Sequence, residues 1–198
     1  PIGEMAEYLL ELKEEWGERM TVLLGNHDIS YAETQKWAQH EMMPMHVVYD
    51  CPGWTFEKSV EVARVLDWSF WEKTRLFQCV NGYLISHAGA PAWLWDVNDA
   101  GLQPLDNYVS IAYEDQFSHH FGFLCAGQGR GGSSPRGGIT WQDWNTEFRD
   151  DEIPYPQIVG HTPSPEGARQ KGRSWCLDGG KTCYGILWRD GTLQVKSL

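Results

Sequence analysis

The sequence predicts an α/β fold with a mixed sheet. Three observations predict it. Stretches with apolar residues at helical spacing alternate with short apolar runs of strand length. Two strand pairs are joined by hairpin turns, Asn81-Gly82 and Arg189-Asp190-Gly191. Other apolar runs end instead in Gly-containing turns, which suits buried strands better than an all-hairpin sheet.

The elements follow in chain order. Met5, Tyr8, Leu9, Leu12 and Trp16 predict a helix over 3–16, ended by Gly17. Met20 to Leu24 reads as a buried strand that runs into Gly25-Asn26-His27-Asp28. Ser30 with Glu33 has capping-box spacing and predicts a helix from about Tyr31 to Met42, closed by Pro44. Val60, Ala63, Val65, Leu66, Phe70 and Trp71 predict a helix over 59–74. A hairpin follows, Leu76 to Val80 and Tyr83 to Ser86, because both residues of an Asn-Gly turn accept positive φ. Asp106 to His120 reads as a helix. The stretch from Gly127 to Gly138 is rich in Gly and Ser and reads as a mobile surface loop. It has no phosphate-loop lysine pattern. Strands are expected at Pro156–Val159, Ser174–Leu177, Tyr184–Trp188 and Thr192–Lys196.

Composition narrows the function. The chain has 198 residues and is 41% hydrophobic, enough for one folded domain with its own core. Its formal net charge of −11 argues against general nucleic-acid binding, which needs a positive face. An anionic substrate stays open, because bound divalent cations dominate a local field. The five cysteines contain no Cys-x-x-Cys pair, so a disulfide framework is not expected. No apolar run reaches the roughly 20 residues of a membrane helix, and Pro1-Ile2-Gly3-Glu4 carries no signal-peptide pattern. The expectation is a soluble, cytoplasmic protein without membrane contact.

Three times an apolar run leads into a His beside small residues. The stretches are Leu24-Gly25-Asn26-His27, Ile85-Ser86-His87-Ala88-Gly89 and Val159-Gly160-His161-Thr162. Ligands collect at the carboxyl ends of strands in α/β proteins. Small neighbours allow sharp turns and close approach. Imidazole with amide oxygen suits borderline divalent ions such as Mn, Fe, Zn or Ni. A shared site for metal-assisted chemistry is therefore expected.

Gly25-Asn26-His27-Asp28 resembles the GNH[D/E] motif of calcineurin-like metallophosphoesterases. Ser86-His87-Ala88-Gly89, Thr140-Trp141-Gln142-Asp143, Gly160-His161-Thr162 and Asp178-Gly179-Gly180 are similar, in order, to later motifs of that family's phosphoprotein phosphatase and bacterial diadenosine tetraphosphatase branch. The resemblance runs from about residue 1 to the C-terminus. It implies a two-sheet mixed β-sandwich flanked by helices. It implies Asn26, His87 and His161 as metal ligands, and His27 as the catalytic His that contacts phosphate or protonates the leaving oxygen. It implies divalent metal, Mn²⁺ foremost, with Fe, Zn or Ni as alternatives. It also implies a phosphoesterase that attacks phosphoprotein, nucleotide or dinucleotide substrates with metal-activated water. A phosphate-binding Arg is expected, with Arg136 and Arg149 both open as candidates.

The family's Asp-x-His and GDxxDRG motifs are not in this sequence. Relative to the family, the chain is expected to be N-terminally truncated and to hold only part of the second-metal site. A catalytically silent binding or structural fragment is the alternative. Missing core strands would leave an open edge, lower stability and invite a homodimer. A structural zinc site is disfavoured, since such sites are closed and Cys-rich. His40, His46, His119 and His120 are read as ordinary exposed or hydrogen-bonded side chains. Cys176 and Cys183 are read as core residues, Asp178 as a turn residue, and Asp150-Asp151-Glu152 as a solvated loop.

Overall fold

The computed structural model describes residues 2–39, 51–92 and 124–198. The expected helix at 106–120 and the residues His40, His46, His119 and His120 lie outside the described residues. The described residues fall into two compact units, one of residues up to 75 and one of residues 76–92 and 124–198.

The first unit is helical. Helix α1 spans Ile2–Trp16 and passes into a 3₁₀ turn, Gly17–Arg19. Gly17 has φ +54°, which a side chain would resist, so the sequence-based stop is observed. Lys13 Nζ donates to the Gly17 and Met20 carbonyls at 2.9 and 2.6 Å, closing the helix end. The apolar stripe behaves otherwise than its spacing suggests. Ala6 is the buried residue of α1, while Met5, Tyr8 and Trp16 are exposed.

The expected strand over 20–24 reduces to a single bridge, Leu23 with Arg75. Leu24 N–H donates to the Arg75 carbonyl at 2.9 Å and Arg75 N–H to the Val22 carbonyl at 3.0 Å. Among the described residues no longer ladder forms there. Helix α2 spans Asn26–Gln39, five residues earlier than the Ser30 cap predicts. Ser30 lies inside the helix, where its carbonyl accepts from Thr34 Oγ1 at 2.8 Å.

The helix expected over 59–74 is two helices, α3 at Phe56–Ala63 and α4 at Trp68–Trp71. Asp67 makes the break. Its backbone is extended (φ −79°, ψ 176°), and its carboxylate accepts from Phe70 N–H at 3.0 Å as an N-cap. Helix α3 packs against α1 and α2, and α4 against α2. Leu24, Ile29, Ala32, Val62, Leu66 and Trp71 form the buried interior. Each large apolar side chain buried there contributes roughly 1.5–3 kcal/mol.

The second unit holds the sheets. Strands β1 (Phe77–Val80), β2 (Tyr83–Ser86), β3 (Gln157–Val159), β4 (Arg169–Lys171) and β5 (Ser174–Cys176) form a five-stranded sheet in the order β1-β2-β3-β5-β4. β3 pairs in parallel with β2 on one side and β5 on the other, and β1 and β4 are antiparallel edges. The sheet is therefore mixed, as expected. Asn81 and Gly82 have φ 46° and 83°, which the turn between β1 and β2 requires. The pair β6 (Cys183–Leu187) and β7 (Leu193–Ser197) makes a second, two-stranded sheet. β4 has no counterpart in the sequence reading. Arg169-Gln170-Lys171 shows no apolar alternation, because it pairs only with β5 at an edge.

Every residue of β3 is buried. Behind the sheet, Trp144 and Phe148 stack with ring centroids 4.3 Å apart and pack with Val159 and Cys176. Cys176 is fully buried, as expected, while Cys183 is half-buried. No disulfide joins any of the five cysteines. Among the described residues no helix is long and apolar enough to cross a membrane.

Candidate metal centre

Parallel pairing decides where the histidines go. Leu84 aligns with Gln157 and Ile85 with Ile158, so β2 and β3 finish at the same level. His87 follows β2 and His161 follows β3 by one residue more. Gly160 N–H donates to the His87 carbonyl at 2.8 Å, extending the ladder past both strand ends. The result is direct contact. His87 Nε2 lies 3.0 Å from His161 Nδ1, with ring centroids 4.8 Å apart. The Trp141 ring meets His161 edge-on at 5.8 Å.

The backbone beneath His161 is bent sharply. His161 has φ +65°, and Thr162 N–H donates back to the Gly160 carbonyl at 2.7 Å. This is a positive-φ γ-turn, a rare and strained conformation for a residue with a side chain. Strain of this kind costs of order 1–3 kcal/mol and persists where surrounding bonds over-determine it.

Those bonds come from the segment 124–148 and from Arg169 of β4. Arg130 donates to the His161 carbonyl at 3.2 Å and to Thr162 Oγ1 at 2.7 Å, and pairs with Asp143 at 3.1 Å. Trp144 N–H donates to the same hydroxyl at 3.0 Å. Arg169 binds the Thr162 carbonyl and, at 2.7 Å, Asn145 Oδ1. Glu147 is buried, and its carboxylate accepts from the N–H groups of Gly129, Gly137 and Asp143 at 2.7, 2.9 and 3.0 Å. Asp143 in turn accepts from Asn145 and Thr146.

The stretch 127–138 is thus anchored, contrary to its reading as a mobile loop. Glycines there serve proximity: a Cβ on Gly127 or Gly137 would meet neighbouring backbone at under 3 Å. The acidic stretch after Phe148 is also tied down. Asp150 accepts from Arg173 N–H at 3.0 Å and from the Ser174 hydroxyl, and Glu152 pairs with Arg136. Only Asp151 of the three is exposed. Asp178 stands in a turn, where Gly179 N–H donates to the Leu177 carbonyl at 2.8 Å.

Of the two arginines considered from the sequence, Arg136 is engaged by Glu152, and Arg149 donates to the Phe148 carbonyl at 3.1 Å. Arg130 is the arginine held beside His161. Its signal in the sequence was the setting Gly129-Arg130-Gly131-Gly132, whose glycines permit close backbone approach. Glu147 gave no signal, since a single Glu in a mixed segment reads as surface.

His87 is followed by another tight turn. Gly89 has φ 114°, and its N–H donates to Ser86 Oγ at 3.1 Å. Ala88 N–H donates to the Ile139 carbonyl at 2.9 Å.

Asn26 and His27 belong to the first unit. Gly25 precedes the first turn of α2, and Asp28 reaches back to accept Gly25 N–H at 2.7 Å. This is the returning half of a capping box. Burial pushes the Asp28 carboxyl up, opposed by the Gly25 bond and the neighbouring His27. Asn26 is buried and its amide donates to Cys51 Sγ at 3.4 Å, while His27 is exposed. The four residues therefore have a local structural rationale: they start a helix.

Among the described residues no three His, Cys, Asp or Glu side chains converge as a metal-holding group. His87 and His161 supply two nitrogens. No family model, curated protein or solved structure matches this chain.

Proposed function

We propose that this chain is part of a metal-dependent phosphoesterase of the calcineurin-like kind, with His87 and His161 ligating one divalent cation. The supporting observation is the 3.0 Å separation of their nitrogens. Two nitrogens at about 2.0–2.1 Å from one ion lie about 2.9 Å apart at right angles and about 3.4 Å apart in a tetrahedron. The contact falls in that range. Two imidazoles brought together from parallel strand ends also fit the preference of borderline cations for nitrogen donors.

The family resemblance, and not an observed juxtaposition, gives Asn26 the role of an amide-oxygen ligand and His27, exposed on the first unit, the role of serving the leaving oxygen. The metallophosphatase form of the fold, a two-sheet sandwich, belongs to the proposal. Mn²⁺ is the first choice of ion, ahead of Fe, Zn or Ni. When bound, such an ion supplies Lewis-acid polarisation and lowers the pKa of water. The chain's own part is to hold His161 in its strained turn through Arg130, Thr162 and Glu147. Substrates in this reading are phosphoproteins, nucleotides or dinucleotides.

A second reading rests on the same contact. At 3.0 Å the two rings can share a proton as a simple hydrogen bond, which a non-catalytic binding fragment would also show. Two measurements separate the readings. Calorimetric titration with Mn²⁺ and Zn²⁺ should show binding that His87→Ala weakens. Hydrolysis of p-nitrophenyl phosphate with Mn²⁺ should appear in a version carrying Asp-x-His and GDxxDRG motifs upstream. A metal-loaded version of that kind without activity eliminates the phosphoesterase.

A further inference from the structure

We propose that the outward face of α1 is a docking surface for a basic amphipathic segment of a partner protein. The apolar residues that predict this helix are not the ones that pack it. Met5, Tyr8 and Trp16 are 68%, 60% and 48% exposed, and Leu12 between them is half-buried. The helix is held to its unit by the other side, through Ala6 and contact with α3. Positions 5, 8, 12 and 16 follow helical spacing and form one stripe of about three turns.

Charge selects the occupant. Beside the stripe, on one edge, stand Glu4, Glu7, Glu11 and Glu15, all exposed. Helical geometry places these carboxylates in a row about one turn apart. Two cations stand near the row, Lys13 and Arg19, and the four carboxylates outnumber them. Lys13 turns its amine onto the Gly17 and Met20 carbonyls. Arg19 donates to the Trp16 and Glu15 carbonyls and lies 5.2 Å from the Trp16 ring centre. The face is therefore apolar with an anionic margin.

A helix laid along it satisfies both parts if it offers apolar residues at i, i+3 or i+4 spacing with Lys or Arg along one side. A second copy of this chain would bring the same carboxylates and meet repulsion. An anionic lipid surface would be repelled for the same reason.

The test uses a fluorescein-labelled helical peptide of about 18 residues, built from Leu and Lys in this pattern, read by anisotropy. The Leu/Lys peptide should bind, and its Leu/Glu counterpart should not. Tyr8→Ser with Trp16→Ser should weaken binding at least about tenfold, and so should Glu7→Lys with Glu11→Lys. Trp188→Ser, which removes an exposed Trp elsewhere, should leave it unchanged. All of these residues are exposed, and circular dichroism checks that each variant is folded.

Several outcomes overturn the proposal. One is equal binding by the Tyr8→Ser/Trp16→Ser variant. Another is equal binding of the Leu/Glu peptide. A dimer in sedimentation velocity that the same double variant dissolves would assign the face to self-association. Loss of binding when the chain is extended upstream would assign it to an intramolecular cover.

Discussion

His87 Nε2 sits 3.0 Å from His161 Nδ1, although the two residues are 74 positions apart in the chain. If the pair ligates one cation, losing either ring removes half of the nitrogen donors. His87→Ala and His161→Ala are each expected to weaken Mn²⁺ or Zn²⁺ binding at least about tenfold in calorimetry. Unchanged affinity in both variants would remove the pair from metal binding.

Glu147 accepts three backbone N–H groups with one carboxylate. Glu147→Gln keeps the shape but turns an amide NH₂ towards at least one of those donors. A buried donor left without an acceptor costs about 1–3 kcal/mol. The expected outcome is an unfolding free energy lower by that amount, seen as a lower midpoint in urea at unchanged slope. No change in midpoint would show that the segment around Arg130 is held by other contacts.

Gly89 combines φ 114° with a filled surrounding. A Cβ added there would lie 2.7 Å from Gln142 Oε1 and 2.8 Å from Phe148 Cδ2. Gly89→Ala is expected to destabilise by about 1–3 kcal/mol, since strain and overpacking act together. Gly131→Ala is the contrast. It shares a positive φ of 80° but meets no atom within 4 Å. Its cost should be the smaller of the two by thermal denaturation.

Asp67 carries the pH prediction. The Ser69 hydroxyl, then the Phe70 N–H, hold its carboxyl below the usual 3.8. The folded state thus binds the proton more weakly than the unfolded chain. The stabilisation is complete above the unfolded value of 3.8 and is lost as pH falls through the depressed folded value. Asp67→Ala should cost about 0.5–2 kcal/mol at neutral pH, the usual worth of an N-cap. The gap between variant and parent should narrow in acid. A gap independent of pH would mean that the carboxylate does not act as the cap.

Parts of this arrangement are legible residue by residue. Asn81-Gly82 announces its hairpin because few residue pairs accept two positive φ values. The strand ends at His87 and His161 are legible because apolar runs stop there at small residues. The start of α2 is ambiguous in the sequence, because two capping patterns overlap. Ser30 with Glu33 suits the rule, but Asp28 closing on Gly25 forms first along the chain. Asp67 was hidden inside an apolar periodicity that continues across the break.

The mixed α/β class, the hairpins and the apolar runs that carry His87 and His161 are written locally in the chain. Each of these depends on residues within a few positions of one another. The outward turn of the apolar stripe of α1, the bracing of His161 by Arg130 and the anchoring of the glycine-rich stretch by Glu147 emerge only on folding. Those outcomes depend on which distant surfaces and backbone N–H groups come together, and local spacing carries no record of a partner contributed from elsewhere in the chain.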